Sequence, residues 1–406
     1  MANQPFSLTE AQALFKINYY KRSENLYNSA NVTMARVKKK YDFTGRSRLI
    51  TTTDSFSGGV GSGTLPETNT AGYSEVTILA KKMYATCDFD RESIKAASDD
   101  AGSFVRGIKE ITQKTVESYN RNASRALFGR GDGSLSNGDA ATTVTGDGSV
   151  ATPYLVKMGS QWKEANWEEK DYVNYDAEVT NLEVVAIDPA TKVVSLVGTS
   201  VGLAALAAVG PVLSTKYFYM QGSKNNDPYG LYQVLTATSG TLYGKNVDRR
   251  WKAYQSALSG AGITSDKMNE VMLGVDKKVG KSPNLILASY VQFRKMLNFL
   301  DDQKRYNVEP RATDLKGKIS FTGVEFMSVK GPVPIFTERF VEDDAVYFLN
   351  DNNIEIHHRP GFGWFDDDGT VFLRKASSDQ YEGRYGGYLQ NYIEPTFHGI
   401  ITGAAV

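Results

Sequence analysis

Residues 103–128, which read SFVRGIKEITQKTVESYNRNASRALF, carry the pattern that decides the fold. Apolar or small side chains recur there in steps of three and four, at Phe104, Ile108, Ile111, Thr115, Tyr119, Ala123 and Ala126. This spacing predicts one helix about 40 Å long with a single apolar face. The turn-rich run GRGDGSLSNG at residues 129–138 ends it. A helix with one apolar stripe is predicted to lie across a sheet rather than at the centre of a helical bundle.

The segment before this helix has the pattern of a long hairpin. Residues 53–76, TDSFSGGVGSGTLPETNTAGYSEV, hold five glycines and few apolar side chains, so they cannot bury a core of their own. Alternating residues flank them in RSRLITT (46–52) and EVTILAKKMYATCDFD (75–90). The pattern predicts two strands joined by a long, Gly-rich tip. Because an isolated hairpin is marginally stable, we expect this hairpin to pack against a neighbouring surface.

The first 48 residues are basic, with nine Lys or Arg against three acids, a net charge of +6. The densest cluster is Lys38, Lys39 and Lys40. An extended arm that lies on another surface and a solvated charged face both fit this composition.

Beyond the long helix the pattern changes twice. Residues 151–240 predict an all-β insert of short strands, and the apolar run at 201–213 is too short to cross a bilayer. Next, residues 249–262 and 265–280 predict helices, residues 284–288 a strand and residues 289–306 another helix. This alternation predicts an α/β lobe, and the remainder from residue 316 is β-rich.

Composition excludes several classes of function. Lys and Arg total 46 against 46 Asp and Glu, which disfavours a dedicated nucleic-acid binder. One cysteine, Cys87, excludes an intrachain disulfide or a thiolate cluster. Adjacent His357 and His358 on a predicted strand point to opposite faces, which disfavours a shared metal. No catalytic constellation is present, and the first residues lack a secretory signal, so we expect use in a cytoplasm.

The order of these parts resembles that of the major capsid proteins of tailed bacteriophages with the Hong Kong 97 fold. The stretches that carry the resemblance are NLILASYVQFRKMLNFLDD (284–302), FTGVEFMSVKGPVP (321–334) and YIEPTFHGIITGA (392–404). The resemblance implies an α+β fold with these divisions: N-terminal arm 1–45, extended loop hairpin 46–90, peripheral domain with spine helix 91–150, inserted β-rich domain 151–240, axial domain 241–353, peripheral-domain hairpin 354–380 and C-terminal return to the axial domain 381–406.

The resemblance also implies a function without enzymatic activity. The chain is expected to self-assemble, as hexamers and pentamers, into the icosahedral head shell of a double-stranded DNA phage, with no cofactor, catalytic residue or metal. Expected partners are portal and scaffolding proteins, a cement protein, and packaged DNA by weak non-specific contact, with no membrane. We expect assembly in the host bacterial cytoplasm and residence in the virion.

The residues expected to contact other subunits lie at two tips. The tip of the extended loop comprises Ser57, Gly58, Gly59, Gly61 and Gly63, and the tip of the peripheral hairpin comprises Asp366, Asp367, Asp368 and Gly369. The lysines at 38–40 are expected to face DNA or a neighbouring subunit.

Besides an enzyme of unknown type, which has the least support, two other functions stay open at this point. One is an encapsulin-like cellular compartment with the same fold. The other is a β-rich carbohydrate-binding virion protein that uses the aromatic residues of the insert, Trp162, Trp167, Tyr172 and Tyr175.

Overall fold

The computed structural model describes residues 32–40, 46–53, 63, 72–90, 101–139, 144–176, 179–198, 216–303, 324–328, 330–359, 363–365, 371–375 and 378–406. The strands in these residues are β1 (Lys38–Lys40), β2 (Arg46–Thr53), β3 (Gly72–Ile78), β4 (Lys81–Asp90), β5 (Ser134–Asn137), β6 (Tyr154–Lys157), β7 (Tyr172–Tyr175), β8 (Val179–Asp188), β9 (Val193–Val197), β10 (Tyr217–Met220), β11 (Thr241–Leu242), β12 (Lys245–Asn246), β13 (Tyr254–Ala257), β14 (Leu285–Ala288), β15 (Val324–Ser328), β16 (Gly331–Thr337), β17 (Val346–Leu349), β18 (Ile354–His358), β19 (Gly363–Trp364), β20 (Phe372–Arg374), β21 (Gln380–Ile393) and β22 (Gly399–Thr402). The helices are α1 (Val32–Arg36), α2 (Ala101–Phe128), α3 (Leu231–Thr236), α4 (Ser265–Val279) and α5 (Tyr290–Gln303).

The chain forms two compact units that each draw on three separate stretches. The first unit comprises Met1–Asp42, Ala80–Gly230 and Ile356–Asn391, and the second comprises Phe43–Leu79, Leu231–Glu355 and Tyr392–Val406. Each unit therefore depends on strands that are far apart in the sequence.

The first unit contains a six-stranded sheet beneath the long helix. Strand β21 is its organising strand, because β4, β18, β19 and β20 all pair with it, while β1 pairs with β18. The β21–β4 ladder runs antiparallel from Gln380↔Asp90 to Leu389↔Lys81. Helix α2 packs on β4, with Tyr119 fully buried and its ring edge-on to Tyr385 at 5.1 Å.

The predicted long helix is thus confirmed, and so is its position on a sheet. Thr115, Tyr119, Ala123 and Ala126 of the predicted apolar stripe are buried, whereas Ile111 is exposed. The helix ends where predicted, since Gly129 N donates to Ala126 O at the first residue beyond it.

The first unit also contains a six-stranded antiparallel barrel with the strand order β5-β10-β7-β8-β9-β6. The two outer strands of this order meet at a bridge between Gly138 and Met158. Hydrogen bonds from Asp139 N to Lys157 O (2.9 Å) and from Gly159 N to Asn137 O (2.8 Å) complete the closure. Closing a sheet removes its exposed edges, which explains how a sheet in which five of the six strands have only four or five residues forms a stable unit.

Side-chain alternation fills the barrel interior. Tyr154 and Val156 of β6, and Val194 and Leu196 of β9, point inward, and their neighbours are more exposed. The described residues of the barrel are β-rich as predicted, but the helix α3 at Leu231–Thr236 contradicts an all-β segment through residue 240. The barrel sheet also begins at Ser134, before the predicted boundary at 151, because β5 pairs with β10. Residues 231–240 lie instead in the second unit, where α3 contacts β13 and β22.

The second unit is built on a mixed six-stranded sheet with the order β13-β22-β17-β14-β16-β15. The pairs β13–β22 and β14–β16 are parallel. Helices α4 and α5 supply Met268, Val271 and Met296 to the core, where they join Val346 and Phe348 of β17. The predicted helices and strand are confirmed at Ser265–Val279, Leu285–Ala288 and Tyr290–Gln303, and residues 304–306 lie outside the described residues. The Thr264 hydroxyl caps α4, and left-handed Gly280 ends it.

One local prediction is wrong. Residues 249–262 were expected to form a helix, but Tyr254–Ala257 form the edge strand β13, parallel to β22. Tertiary hydrogen bonds override the local pattern, since Tyr254 N donates to His398 O (3.0 Å) and Leu258 N donates to Thr402 O (2.9 Å). The apolar run at 201–213 lies outside the described residues.

Candidate assembly surfaces

The stem of the predicted extended hairpin is present in the second unit. Strands β2 and β3 pair antiparallel from Arg46↔Ile78 to Thr53↔Gly72, with an irregularity near Thr51. Together they form a sheet of two strands. Eight residues of β2 correspond to about 27 Å of extended chain.

Along the inward face of β3, residues are buried at the base of the stem and less buried further up. Val76 and Ile78 at the base are fully buried, and Thr77 N donates to Tyr243 O at 2.9 Å. Further up, Tyr73 is 60% exposed. The hairpin therefore has a fixed base and an upper part whose tyrosine is left without cover in a single chain.

The structure describes only part of the predicted tip. Gly63 is exposed, and a Cβ added there would meet nothing within 4 Å. The other tip residues, Ser57, Gly58, Gly59 and Gly61, lie outside the described residues.

The lysine cluster forms part of the sheet in the first unit. Lys38, Lys39 and Lys40 constitute β1, which pairs with β18 at the end of the strand order. Lysine on an end strand discourages edge-to-edge pairing with other chains. Burial, followed by the positive charge of Lys39, lowers the pKa of His358 to about 3.

Among the described residues, the strands of the second predicted hairpin pair with β21 and not with each other. Gly363 and Trp364 pair with Gly386 and Tyr385, and β20 pairs with the first residues of β21. The predicted tip residues Asp366, Asp367, Asp368 and Gly369 lie outside the described residues.

The aromatic residues of the barrel are mainly core residues. Trp162, Trp167 and Tyr175 are buried, and Trp167 lies 5.9 Å from Phe218 between ring centroids. Only Tyr172 of the four residues considered for carbohydrate binding is largely exposed, at 49%. A sugar ring stacks on an exposed aromatic face, so three of the four cannot serve that purpose.

The remaining candidates for chemistry are buried in structural roles. His398 Nδ1 accepts a hydrogen bond from Asn350 N (3.1 Å). Burial raises the pKa of the Cys87 thiol to about 11, which keeps it protonated and unreactive at neutral pH. Among the described residues, no three His, Cys, Asp or Glu side chains are grouped as metal ligands are. None of the described helices combines the length and apolar character needed to span a membrane.

Comparison with solved structures identifies the architecture. The chain matches the "Cyanophage A-1(L) capsid asymmetric unit" with a TM-score of 0.52 and 12% identity, over 91% of each chain. It has the Hong Kong 97-type capsid fold. The predicted α+β fold class is therefore confirmed.

Other solved structures with this capsid fold are similar at lower scores. The structure of Mycobacterium phage Adephagia matches at 12% identity and a TM-score of 0.44, over 92% of this chain and 90% of that chain. The holo-SrpI encapsulin complex from Synechococcus elongatus PCC 7942 matches at 8% identity and 0.45, over 93% and 89%. No family model matches the sequence, and neither does any curated protein.

Within this Hong Kong 97-type fold, the sequence did not reveal one buried charge pair. Arg125 near the end of α2 pairs with Asp227 at 2.8 Å, and both side chains are at most 7% exposed. The two residues are 102 positions apart (227 minus 125), and no local pattern links them. The one available signal was an arginine in the last turn of the helix, next to Ala126 of the stripe.

Proposed function

We propose that the chain is the major capsid protein that builds the icosahedral head shell of a tailed double-stranded DNA bacteriophage and encloses its genome. The observation that carries the proposal is the fold shared with a cyanophage capsid chain over 91% of both lengths. On this basis the first unit is assigned to the peripheral domain with the inserted barrel. The second is assigned to the axial domain with the extended hairpin.

The hairpin stem supports the proposal physically. A protruding sheet of two strands with an exposed Tyr73 gains stability when a second surface covers it. In a closed shell each subunit supplies that surface to its neighbour. Contacts that are individually weak let assembly errors dissolve, while their sum stabilises the complete shell.

Charge supports the same proposal. The formal net charge is zero, so copies approach each other without long-range repulsion. A shell that holds its DNA only weakly also allows the DNA to be packed and released. In this proposal the chain carries out no catalysis and forms hexamers and pentamers. Its further partners are portal, scaffolding and cement proteins. It assembles in the bacterial cytoplasm and then resides in the virion.

The two tips are proposed as subunit contacts. Residues 57–63 of the extended loop and 366–369 of the second hairpin each connect strands whose bases are anchored. Lys38, Lys39 and Lys40 are proposed to face DNA or a neighbouring subunit along the outer side of β1.

Electron microscopy of the purified full-length chain tests the proposal directly. We expect closed shells or rings of subunits, with or without a scaffolding protein. Deletion of residues 57–70 is expected to leave a folded, soluble subunit but to block shell closure. A matched control is Val150→Asp, at an 82% exposed barrel position that the proposal does not use.

Two results separate the proposal from its alternatives. Normal shells from the deletion variant would contradict the role of the hairpin tip. Particles isolated from infected cells should contain double-stranded DNA; particles filled with a protein cargo would favour an encapsulin-like compartment instead.

A further inference from the structure

A cleft in the first unit has the features of a binding site. Its volume is about 600 Å³. It lies between the start of β4, the last turns of α2 and the turn that follows β10. Its lining includes four charged side chains, Lys81, Lys82, Arg125 and Asp227.

The charge of the lining is unbalanced. Three cations face one carboxylate, so the lining carries a net charge of +2 (three minus one). Lys81 Nζ makes one long hydrogen bond, 3.3 Å, to Asn225 O, and the ammonium group has three protons to donate. Lys82 is exposed and lies 5.9 Å from the Tyr388 ring centroid.

Arg125 leaves a donor unused at the base of the cleft. Its Nη1 pairs with Asp227 at 2.8 Å, and its side chain is 95% buried. Its Nε–H has no hydrogen-bond acceptor among the described residues. The Nε atom is itself closed to solvent, so Arg125 contributes charge to the cleft rather than a hydrogen bond.

The acidic residues near the cleft form ion pairs with a side chain outside it. Burial raises the pKa of the Asp171 carboxyl, and the charge of Arg125 lowers it. Asp171 pairs with Arg121 Nη2 at 2.6 Å. Glu168 pairs with the other terminal nitrogen of Arg121. Neither carboxylate lines the cleft, so the positive charge there is not cancelled by a second acid.

The wall opposite β4 is held in place by its own hydrogen bonds. Asn225 N donates to Asp132 O (2.8 Å), and Asn226 N donates to Ser223 O (2.8 Å). The Asn226 side chain donates to Gly222 O (3.1 Å). The cleft is therefore preformed in the folded subunit, which lowers the cost of binding.

We propose that this cleft binds a phosphate-bearing anion. A dianion matches the net charge of +2, whereas a single carboxylate would neutralise only half of it. The ammonium groups of Lys81 and Lys82 would donate charge-assisted hydrogen bonds to the phosphate oxygens, and the Arg125 charge would add to the positive potential of the cleft. Two sources share this chemistry: free phosphates, including pyrophosphate, and two adjacent phosphates of a DNA backbone.

The test is calorimetric titration of pyrophosphate into the soluble full-length subunit at low ionic strength. We expect saturable binding by the wild-type chain. Lys81→Gln and Lys82→Gln should each weaken binding about tenfold, as the loss of one charge-assisted bond predicts. The matched control, Lys192→Gln, lies in the exposed turn between β8 and β9 and should change affinity less than twofold.

A second arm distinguishes the sources. A short DNA duplex that displaces pyrophosphate from the wild-type cleft identifies the DNA backbone as the ligand, and failure to displace it identifies free phosphates. Absence of saturable pyrophosphate binding, or equal affinity in all three lysine variants, overturns the proposal. Because the assay uses unassembled subunits, its failure leaves shell formation untouched, and a subunit that never forms shells can still bind.

Discussion

Gly133 and Gly222 form a natural pair for testing how the first unit is packed. Both glycines adopt left-handed backbone conformations, with φ of 81° and 78°. The space around them differs. A Cβ at Gly222 would meet nothing within 4 Å, whereas a Cβ at Gly133 would clash with the backbone carbonyl of Ser223. Gly→Ala at each position therefore separates backbone strain from steric clash.

The expected magnitudes follow from this difference. The left-handed conformation costs an alanine about 1 kcal/mol, which is the whole expected effect of Gly222→Ala. Gly133→Ala must also displace the turn at Ser223. That movement would break the hydrogen bond from Asn225 N to Asp132 O, which contributes about 1 kcal/mol to stability, and would disturb the packing around it. We expect a total of about 3 kcal/mol for Gly133→Ala.

Urea unfolding followed by tryptophan fluorescence measures both variants, because Trp162 and Trp167 report from the barrel core. We expect the midpoint for Gly133→Ala to fall about three times as far as that for Gly222→Ala, with equal slopes. Equal midpoints for the two variants would refute the assigned contact between Gly133 and the Ser223 turn.

Three further predictions concern buried side chains. Burial lowers the pKa of His398 to about 3, against about 6.5 when unfolded, so the unfolded state binds the extra proton in acid. His398 should therefore lower the free energy of unfolding by about 1.4 kcal/mol per pH unit as the pH decreases from 6.5 to 3, in addition to the equal contribution of the buried His358. In urea titrations, His398→Gln should reduce the slope by its one-proton share; an unchanged slope would count against the prediction. Leu182→Ala in the fully buried barrel core should cost about 2–5 kcal/mol in the same unfolding assay, whereas a loss below 1 kcal/mol would mean that the barrel interior is loosely packed. Because burial raises the Cys87 pKa to about 11, its thiol should react with a disulfide reagent at pH 8 only after unfolding; rapid reaction in the native protein would contradict this.

Local periodicity predicted the elements whose partners lie close in sequence or whose amphipathic pattern is long. The long helix was visible because a single stripe repeats along it, and Ala101–Phe128 is indeed one helix. The hairpin stem was visible because alternating residues flank a Gly-rich tip, and β2 pairs with β3 as expected. These features also carried the resemblance to the capsid fold.

Local periodicity could not predict pairings between distant segments. Residues 249–262 have helical spacing, yet Tyr254–Ala257 form a strand because β22, near the C-terminus, supplies their hydrogen-bond partners. Barrel closure likewise depends on the bridge between Gly138 and Met158, which the sequence of neither segment indicates by itself.

The candidate sites also divide into those that the sequence predicted and one that only the structure showed. The sequence alone predicted the two Gly- or Asp-rich tips and revealed the lysine cluster, because turn chemistry and charge are properties of single short segments. It also determined that packing must stabilise this protein, since a lone cysteine permits no intrachain disulfide. Only the tertiary structure decided that Arg125 meets Asp227 beside Lys81 and leaves one donor unused. The physical reason is that a charge pair forms through burial and approach in space, which depend on segments far apart along the chain.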